Sequence, residues 1–471
     1  MSRTTKLLTF STALLAPWLL TSAVDALDTD VFRPIAAVTI GDLEGVTANP
    51  LGSFDISFVD PAIGLYVLAD RSNNAVDLVD TQSNTFLGFC GHGQFTGVVL
   101  NPDGTANNDV SGPDGVLIRD SREIWVGDGD STVKVFDVAG CSETTTPKQT
   151  IATGDAATDK RADEMCYDPN DQLILVANNA ADPPFASLIS TIFYAVVQKI
   201  TFDQSTNGIE QCQWNPRTGL FYITVPGIET PDNGHGQVAV IDPAALAVTT
   251  TFDLPRERCD TPQGMAIGPG SDILIGCNKG RSTTRSSVII DENDGTILAT
   301  VANESGPDEV WFNPGNNHYF LARSNAGPPA TPGSCPTGRQ SLGIIDAGTR
   351  VRDTGINNFA PVNANQPPEC RHPSAHSVAA DSVTGFTFLP IPADNATTSF
   401  SNLCGSVGGD NTMGCILVVT GFNDGDDTAT DPTTTTTTAK RGGKGMNCVA
   451  QGAPVVEVNG GEPKHLRSSC R

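Results

Sequence analysis

The sequence predicts an all-β fold, a seven-bladed β-propeller with four antiparallel strands in each blade. Three observations predict this fold: a phrase of two short apolar strands that occurs seven times, a nearly constant spacing between its copies, and one spare strand before the first copy. The composition agrees, because 47 glycines, 32 prolines and only 17% charged residues are typical of many short strands joined by turns.

Each copy of the phrase contains a polar residue, a short apolar strand, a turn and a second apolar strand. The copies are FDISFVDPAIGLYVLAD from Phe54, PDGVLIRDSREIWVGD from Pro113, DEMCYDPNDQLILVAN from Asp163, IEQCQWNPRTGLFYITV from Ile209, PQGMAIGPGSDILIGCN from Pro262, DEVWFNPGNNHYFLAR from Asp308 and AHSVAADSVTGFTFLPI from Ala375. We call the polar residue before each first strand the leading residue. The predicted leading residues are Asp55, Asp114, Glu164, Glu210, Gln263, Glu309 and His376.

The spacing of the leading residues matches the length of a propeller blade. They span 376 − 55 = 321 residues in six steps, roughly 53 residues per repeat, which leaves room for four strands in each blade. Third strands follow in several repeats, for example AVDLVD at Ala75 and TVKVFD at Thr132.

The two ends of the repeat array predict how the ring closes. Blade seven has no fourth strand after CILVVTGF at Cys415, whereas an unpaired apolar strand, PIAAVTI over residues 34–40, precedes blade one. Ring closure would place residues 34–40 as the outer strand of blade seven and remove the open sheet edge.

The strand–turn–strand phrases ending LYVLAD, EIWVGD and LILVAN, followed by VDLVD and VKVFD, carry a family resemblance. This stretch, about residues 35–422, resembles the secreted and periplasmic NHL, YVTN and cytochrome-d1-like propellers. Such propellers include lactonases, lyases, binding modules and surface proteins, so the resemblance implies an architecture rather than one activity. Haem and nucleotide cofactors are not expected, because the chain has no C-x-x-C-H motif, P-loop or dinucleotide fingerprint.

The segments outside the propeller predict a secreted protein. Residues 1–26 have a basic start, an apolar run and a small-residue end, the pattern of a signal peptide, and we expect the propeller over residues 27–423. A Thr- and Gly-rich linker over residues 424–445 and a small cysteine-containing segment over residues 446–471 follow. Asn303 and Asn395 begin sequons that are candidate glycosylation sites.

The formal net charge of −25 repels nucleic acid and anionic membranes and favours cations or basic partners. No later segment has the roughly 18 consecutive apolar residues that a membrane span needs. The expected partner is therefore a small molecule, a cation or a basic extracellular protein, and we expect a monomer.

Twelve cysteines in an exported chain predict disulfides. Proximity in the sequence favours the pairs Cys90–Cys141, Cys259–Cys277, Cys335–Cys370, Cys404–Cys415 and Cys448–Cys470. Cys166 and Cys212 remain. They occupy equivalent positions in neighbouring blades and should therefore point in the same direction rather than at each other. Pairing and buried thiols both stay open.

The first strand of each blade lines the central channel, so the leading residues should form a ring at one channel mouth. Because the second strand runs antiparallel to the first, its end lies at the same face. Strand-two ends at this face are Asp70, Asp128, Asn178, Asn278 and Arg323.

Oxygen ligands of this kind suit Ca²⁺ or another divalent cation. The predicted metal ligands are Glu164, Glu210, Gln263, Glu309, Asn178 and Asn278, with Asp55, Asp114 and His376 as further polar groups at the mouth. The competing interpretation is structural: polar residues at a channel mouth often bind only water and exposed strand ends.

Two functions follow from this ring. The first is an extracellular binding or scaffold propeller whose acidic mouth holds a cation, a small molecule or a basic partner. The alternative is a divalent-metal-dependent hydrolase or lyase of the propeller lactonase type, implied by the resemblance, with Glu210, Glu309 and His376 as candidate catalytic groups.

Overall fold

The computed structural model describes residues 31–229, 235–277, 286–302, 304–323, 342–353, 375–393 and 403–422. Predictions on Asn278, Asn303, Asn395, Cys335–Cys370 and Cys448–Cys470 lie outside these residues. The chain divides into the units Met1–Gly425, which contains the propeller, and Asp426–Arg471, which lies outside the described residues.

The described residues form seven four-stranded antiparallel sheets, which are the blades of a propeller. Blade one contains β2 (Ser57–Asp60), β3 (Leu65–Asp70), β4 (Ala75–Asp80) and β5 (Thr85–Cys90). Blade two contains β6 (Val116–Arg119), β7 (Glu123–Asp128), β8 (Thr132–Asp137) and β9 (Gln149–Ala152). Blade three contains β10 (Met165–Asp168), β11 (Leu173–Asn178), β12 (Phe185–Ser190) and β13 (Ala195–Thr201).

Blades four to six repeat this arrangement. Blade four contains β14 (Cys212–Asn215), β15 (Leu220–Val225), β16 (Gly236–Asp242) and β17 (Ala247–Leu254). Blade five contains β18 (Pro262–Ile267), β19 (Asp272–Cys277), β20 (Ser286–Asp291) and β21 (Ile297–Ala302). Blade six contains β22 (Pro307–Asn313), β23 (His318–Arg323), β24 (Leu342–Asp346) and β25 (Val351–Arg352).

Blade seven is completed by the N-terminal strand, as predicted. It consists of β26 (Ala379–Ala380), β27 (Thr387–Ile391), β28 (Cys415–Phe422) and β1 (Val31–Val38), in that order from the axis outwards. The outer strand starts three residues before the predicted segment 34–40 and ends two residues before its end. Its antiparallel pairing with β28 closes the ring and leaves no open edge on that strand.

The hydrophobic core lies between the blades. Second strands such as β3, β7, β11 and β23 are buried at every position, since they are covered by a neighbouring blade on each face. Close approach between first strands also explains Gly115, where an added Cβ would come within 2.0 Å of the backbone oxygen of Asp163 in blade three.

Four disulfides lie within the described residues. Three of them, Cys90–Cys141, Cys259–Cys277 and Cys404–Cys415, confirm the pairs expected from proximity. The fourth, Cys166–Cys212, joins the first strands of blades three and four.

Within the described part of the chain, the one α-helix is α1 (Leu403–Ser406). No described helix has the length and apolar character needed to cross a membrane.

Candidate functional site

The register of the first strands corrects two of the predicted leading residues. The backbone N–H of Asp163 donates to the carbonyl of Ala177, just as Asp55 donates to Ala69 in blade one. Asp163 is therefore the leading residue of blade three, and Glu164 comes one position later. The same holds in blade six, where Val310 pairs with Leu321 as Ser57 pairs with Leu68, so Asp308 leads and Glu309 follows.

This register defines two rings of residues at one end of the channel. The outer ring contains the leading residues Asp55, Asp114, Asp163, Glu210, Gln263, Asp308 and His376. The inner ring contains the residues that follow them, Ile56, Gly115, Glu164, Gln211, Gly264, Glu309 and Ser377.

The one-residue shift also explains the disulfide between Cys166 and Cys212. The two cysteines are not equivalent, because Met165 pairs with Val176 as Cys212 pairs with Ile223. Successive strand residues point to opposite faces, so an offset of one residue turns the two sulfurs towards each other. The expectation that these side chains point the same way was wrong, and their Cα atoms lie 5.8 Å apart.

Two arginines enter the outer ring. Arg71, which directly follows the strand-two end of blade one, donates to Asp55 and, with Nε at 3.0 Å, to Asp114. Arg161 Nε donates to Asp163 Oδ2 at 2.7 Å, and its Nη1 donates to the carbonyl of Asn108 at 2.7 Å. Both guanidinium groups thus lie among the carboxylates where the sequence predicted a metal ion.

His376 connects three blades around the outer ring. Its Nε2 lies 2.5 Å from Asp55 Oδ1 in blade one, and its Nδ1 lies 2.8 Å from Asp308 Oδ2 in blade six. Burial lowers the pKa of His376, but Asp308 and Asp55 outweigh that effect and raise it well above its ordinary value. His376 therefore carries a positive charge at neutral pH, and it lies between the carboxyl groups of Asp55 and Asp308.

The outer carboxylates differ in their electrostatics. Burial raises the pKa of Asp114 well above its usual range despite Arg71, and it raises the pKa of Asp163 despite Arg161. Burial acts in the same direction on Asp55, but Arg71 and His376 together hold the pKa of Asp55 below its ordinary value. Glu210 has a raised pKa through burial and through the nearby charges of Asp308 and Asp163.

The strand-two ends do not join the outer ring. Asp70 bonds to Asn73, Asp128 pairs with Lys134, and the amide of Asn178 donates to the carbonyl of Arg161 at 3.0 Å. A second strand lies one strand further from the axis, so its side chains face the neighbouring blades rather than the channel. Arg323 likewise donates from Nε to the carbonyl of Ser305 at 2.9 Å.

Beyond the inner ring, the channel forms a cavity of about 460 Å³. Its wall is aromatic, formed in part by Phe58, Tyr167, Trp214, Trp311 and Phe312. The rings of Phe58 and Trp311 meet edge to face with centroids 5.4 Å apart. Lining prolines in the turns between first and second strands, Pro61, Pro169 and Pro314, place the cavity entrance at the face opposite the outer ring.

Glu164 and Glu309 lie at the inner end of the cavity. Both are buried, and their carboxyl groups share a hydrogen bond, which requires a proton on one of them. Burial raises the pKa of Glu164 to about 8, and burial together with Glu164 raises the pKa of Glu309 well above its usual range. No salt bridge joins either carboxyl to a basic side chain among the described residues.

Gln211 completes this end of the cavity by joining three blades. Its Oε1 accepts from the N–H of Met265 at 2.6 Å and from the N–H of Val310 at 3.1 Å. Its Nε2 donates to the carbonyl of Val310 at 3.2 Å. These three hydrogen bonds hold the Gln211 amide between the blades, and Glu164 and Glu309 are the acidic residues of the cavity lining.

The side chains predicted at the channel mouth do not all line the cavity. Glu164 and Glu309 line it, whereas Glu210, Gln263 and His376 belong to the outer ring and are not among its lining residues. Sequence reasoning missed Arg71, Arg161 and Gln211. Arg71 could have been found, because it follows a strand-two end at the face where the carboxylates gather.

The molecule is a seven-bladed β-propeller, and solved structures share that fold. The chain matches hydrazine synthase of Kuenenia stuttgartiensis with a TM-score of 0.50 and 14% identity over 74% of this chain and 96% of that chain. It matches the WD40 β-propeller domain of Doa1 with a TM-score of 0.52 and 11% identity over 83% of this chain and 97% of that domain.

The resemblance to propellers is thus confirmed at the level of the fold, and identities this low carry no activity across. A scan against protein-family models finds no match, and a search of curated proteins finds none either.

Proposed function

We propose that the protein is an extracellular binding propeller that holds a small molecule in its central cavity. The observation that carries the proposal is the cavity itself. Its volume of about 460 Å³ falls in the range typical of ligand sites, and it combines an aromatic wall with a few polar groups at its inner end. The four disulfides of the described residues are consistent with an extracellular location.

Filling the cavity tests this proposal. We expect soluble aromatic fragments such as indole and benzyl alcohol to change the fluorescence of Trp214 and Trp311 and to raise the melting temperature. Ile267 lines the cavity, and Ile267→Phe would take up part of its volume, so fragment affinity should fall roughly ten-fold or more.

The matched control is Ile192→Phe, at an exposed turn in blade three. It should leave fragment binding unchanged. Equal binding by the wild type and Ile267→Phe would show that the fragments bind elsewhere and would remove the support for a cavity ligand.

A divalent cation in the outer ring is the second candidate, and with it the hydrolase or lyase alternative. One ligand atom from each of Asp55, Asp114 and Asp163 lies within 4.8 Å of the others, close enough to share a metal ion. Such an ion has to compete with Arg71 and Arg161, which already contact these carboxylates. In the enzyme, the ion would polarise a carbonyl while Glu210, Glu309 or His376 moves a proton.

Melting curves with calcium, magnesium, manganese and zinc test the second candidate. A bound cation should raise the melting temperature with a dependence on ln(1 + [L]/Kd), and Glu210→Gln should reduce that gain without unfolding the protein. Lactone and ester substrates with and without chelator then test for hydrolysis. If all four metals leave the curve unchanged, both the cation site and the metal-dependent enzyme are excluded.

A further inference from the structure

The inner end of the cavity holds two acidic groups that form no salt bridge with a basic side chain among the described residues. Glu164 and Glu309 bond to each other, and the further charges that act on both of them are the carboxylates of Asp55 and Asp308. The two arginines nearby are engaged in the outer ring, with Asp55, Asp114 and Asp163. Above a pH of about 8, the pair has lost one of its two protons and carries a net charge of −1, which a cation of single charge would balance.

The wall of the cavity suits an organic cation rather than a metal ion. Divalent metals need about six oxygen ligands, whereas the inner end supplies two carboxyl groups and the surrounding wall is largely aromatic and aliphatic. Aromatic faces attract ammonium groups and also bind the apolar body of a ligand. An ammonium group offers up to three donors, and the free carboxyl oxygens of the pair can accept them.

We infer that the cavity binds an organic ammonium ion, with the charged nitrogen at the Glu164–Glu309 pair and its apolar body against Phe58, Trp214 and Trp311. This inference rests on the proposed function and adds the chemical class of the ligand to it. The ligand enters from the face of Pro61, Pro169 and Pro314, so the apolar or aromatic end lies nearer the entrance and the nitrogen lies deepest.

Three probes of nearly equal shape test the charge preference: benzylammonium, benzyl alcohol and benzoate. We expect benzylammonium to bind the wild-type protein roughly ten-fold or more tightly than benzyl alcohol, and benzoate to bind more weakly than both. Tryptophan fluorescence and calorimetry measure the three affinities at about pH 8.5, where the pair has lost one proton, and at fixed ionic strength, because salt weakens attraction between charges.

Amide variants then test whether the Glu164–Glu309 pair causes the preference for benzylammonium. In either single variant, Glu164→Gln or Glu309→Gln, the amide N–H takes the place of the shared proton and one carboxylate remains, so the preference for benzylammonium should persist. The double variant is neutral and should lose the preference while benzyl alcohol binds as before. Glu44→Gln, at an exposed position outside the cavity, is the matched control and should change none of the affinities.

The outcomes separate the inference from the function on which it rests. Equal affinity for benzylammonium and benzyl alcohol in the wild type overturns the ammonium inference and leaves the cavity as a binding site. A preference that survives in the double variant also overturns it, because the cation would then bind to other carboxylates, such as the outer ring. Failure of all three probes to bind contradicts the proposed function as well.

Discussion

Asp77 is a carboxylic acid in a place where the next blade has a base. In blade two, Lys134 on the third strand pairs with Asp128 at the end of the second strand. The equivalent residues of blade one are Asp77 and Asp70, since Asp70 pairs with Ala75 as Asp128 pairs with Thr132. Both aspartates are fully buried, and no described group donates a hydrogen bond to either oxygen of Asp77.

This pair should make the stability of the protein depend on pH. Burial raises the pKa of Asp70 to about 7, and burial together with Asp70 raises the pKa of Asp77 well above its usual range. The folded chain therefore binds more protons than the unfolded chain above the ordinary aspartate pKa of about 4. The contribution of the pair to stability is complete below that pH and is lost as pH rises through 7.

Asp77→Asn tests this linkage. The amide can donate to Asp70 without a proton from solvent, so the variant should be more stable than the wild type at pH 8, and the difference should shrink towards pH 5. Thermal or urea unfolding at several pH values measures it. Asp203→Asn, at an exposed position, should show no such trend. A constant difference between Asp77→Asn and the wild type at all pH values would contradict the raised pKa values of the pair.

At the scale of the element, β1 is the strand on which ring closure depends. Seven of its eight residues pair with β28, and its buried Phe32 packs edge to face against Phe320 of blade six with ring centroids 5.6 Å apart. The strand therefore supplies both backbone hydrogen bonds and apolar contacts to the closing blade. Without it, β28 would expose its edge and one side of the core at the same time.

We expect the removal of residues 31–38 to prevent cooperative unfolding at the wild-type temperature or to cause aggregation. A milder test is Phe32→Ala, which should lower the free energy of unfolding by about 3–5 kcal/mol because it empties a buried aromatic site. Ile35→Ala on the same strand is the control; Ile35 is 37% exposed, and its truncation should have a smaller effect. Unchanged melting of the deletion variant would contradict closure by β1.

At the scale of the whole molecule, the sequence predicted the fold because the repeat is local and periodic. Strand-length apolar runs, turns and spacing are all visible in the chain, and the spare N-terminal strand revealed the closure. Register is harder. The dipeptides Asp163-Glu164 and Asp308-Glu309 offer two acids in a row, and only the hydrogen bonds of the first strand decide which one leads.

That choice of one residue changed the site. It moved Glu164 and Glu309 from the outer ring into the cavity, and it turned Cys166 and Cys212 towards each other. Arg71 and Arg161 enter the outer ring from loops, where no periodicity indicates which way a side chain points. The side chains that line the channel could therefore be assigned only from the three-dimensional structure, whereas the blade architecture could be predicted from the sequence.

Arg71 is buried among its carboxylate partners and Arg161 pairs with Asp163, so charged side chains narrow the end of the channel opposite the cavity entrance. A ligand should therefore enter and leave mainly through the entrance beside Pro61, Pro169 and Pro314. Attachment of the protein to a surface through the outer-ring end would keep the cavity entrance accessible, whereas attachment through the opposite face would block it. The orientation of the molecule on a support, or on a partner, would therefore decide whether a ligand can reach the cavity.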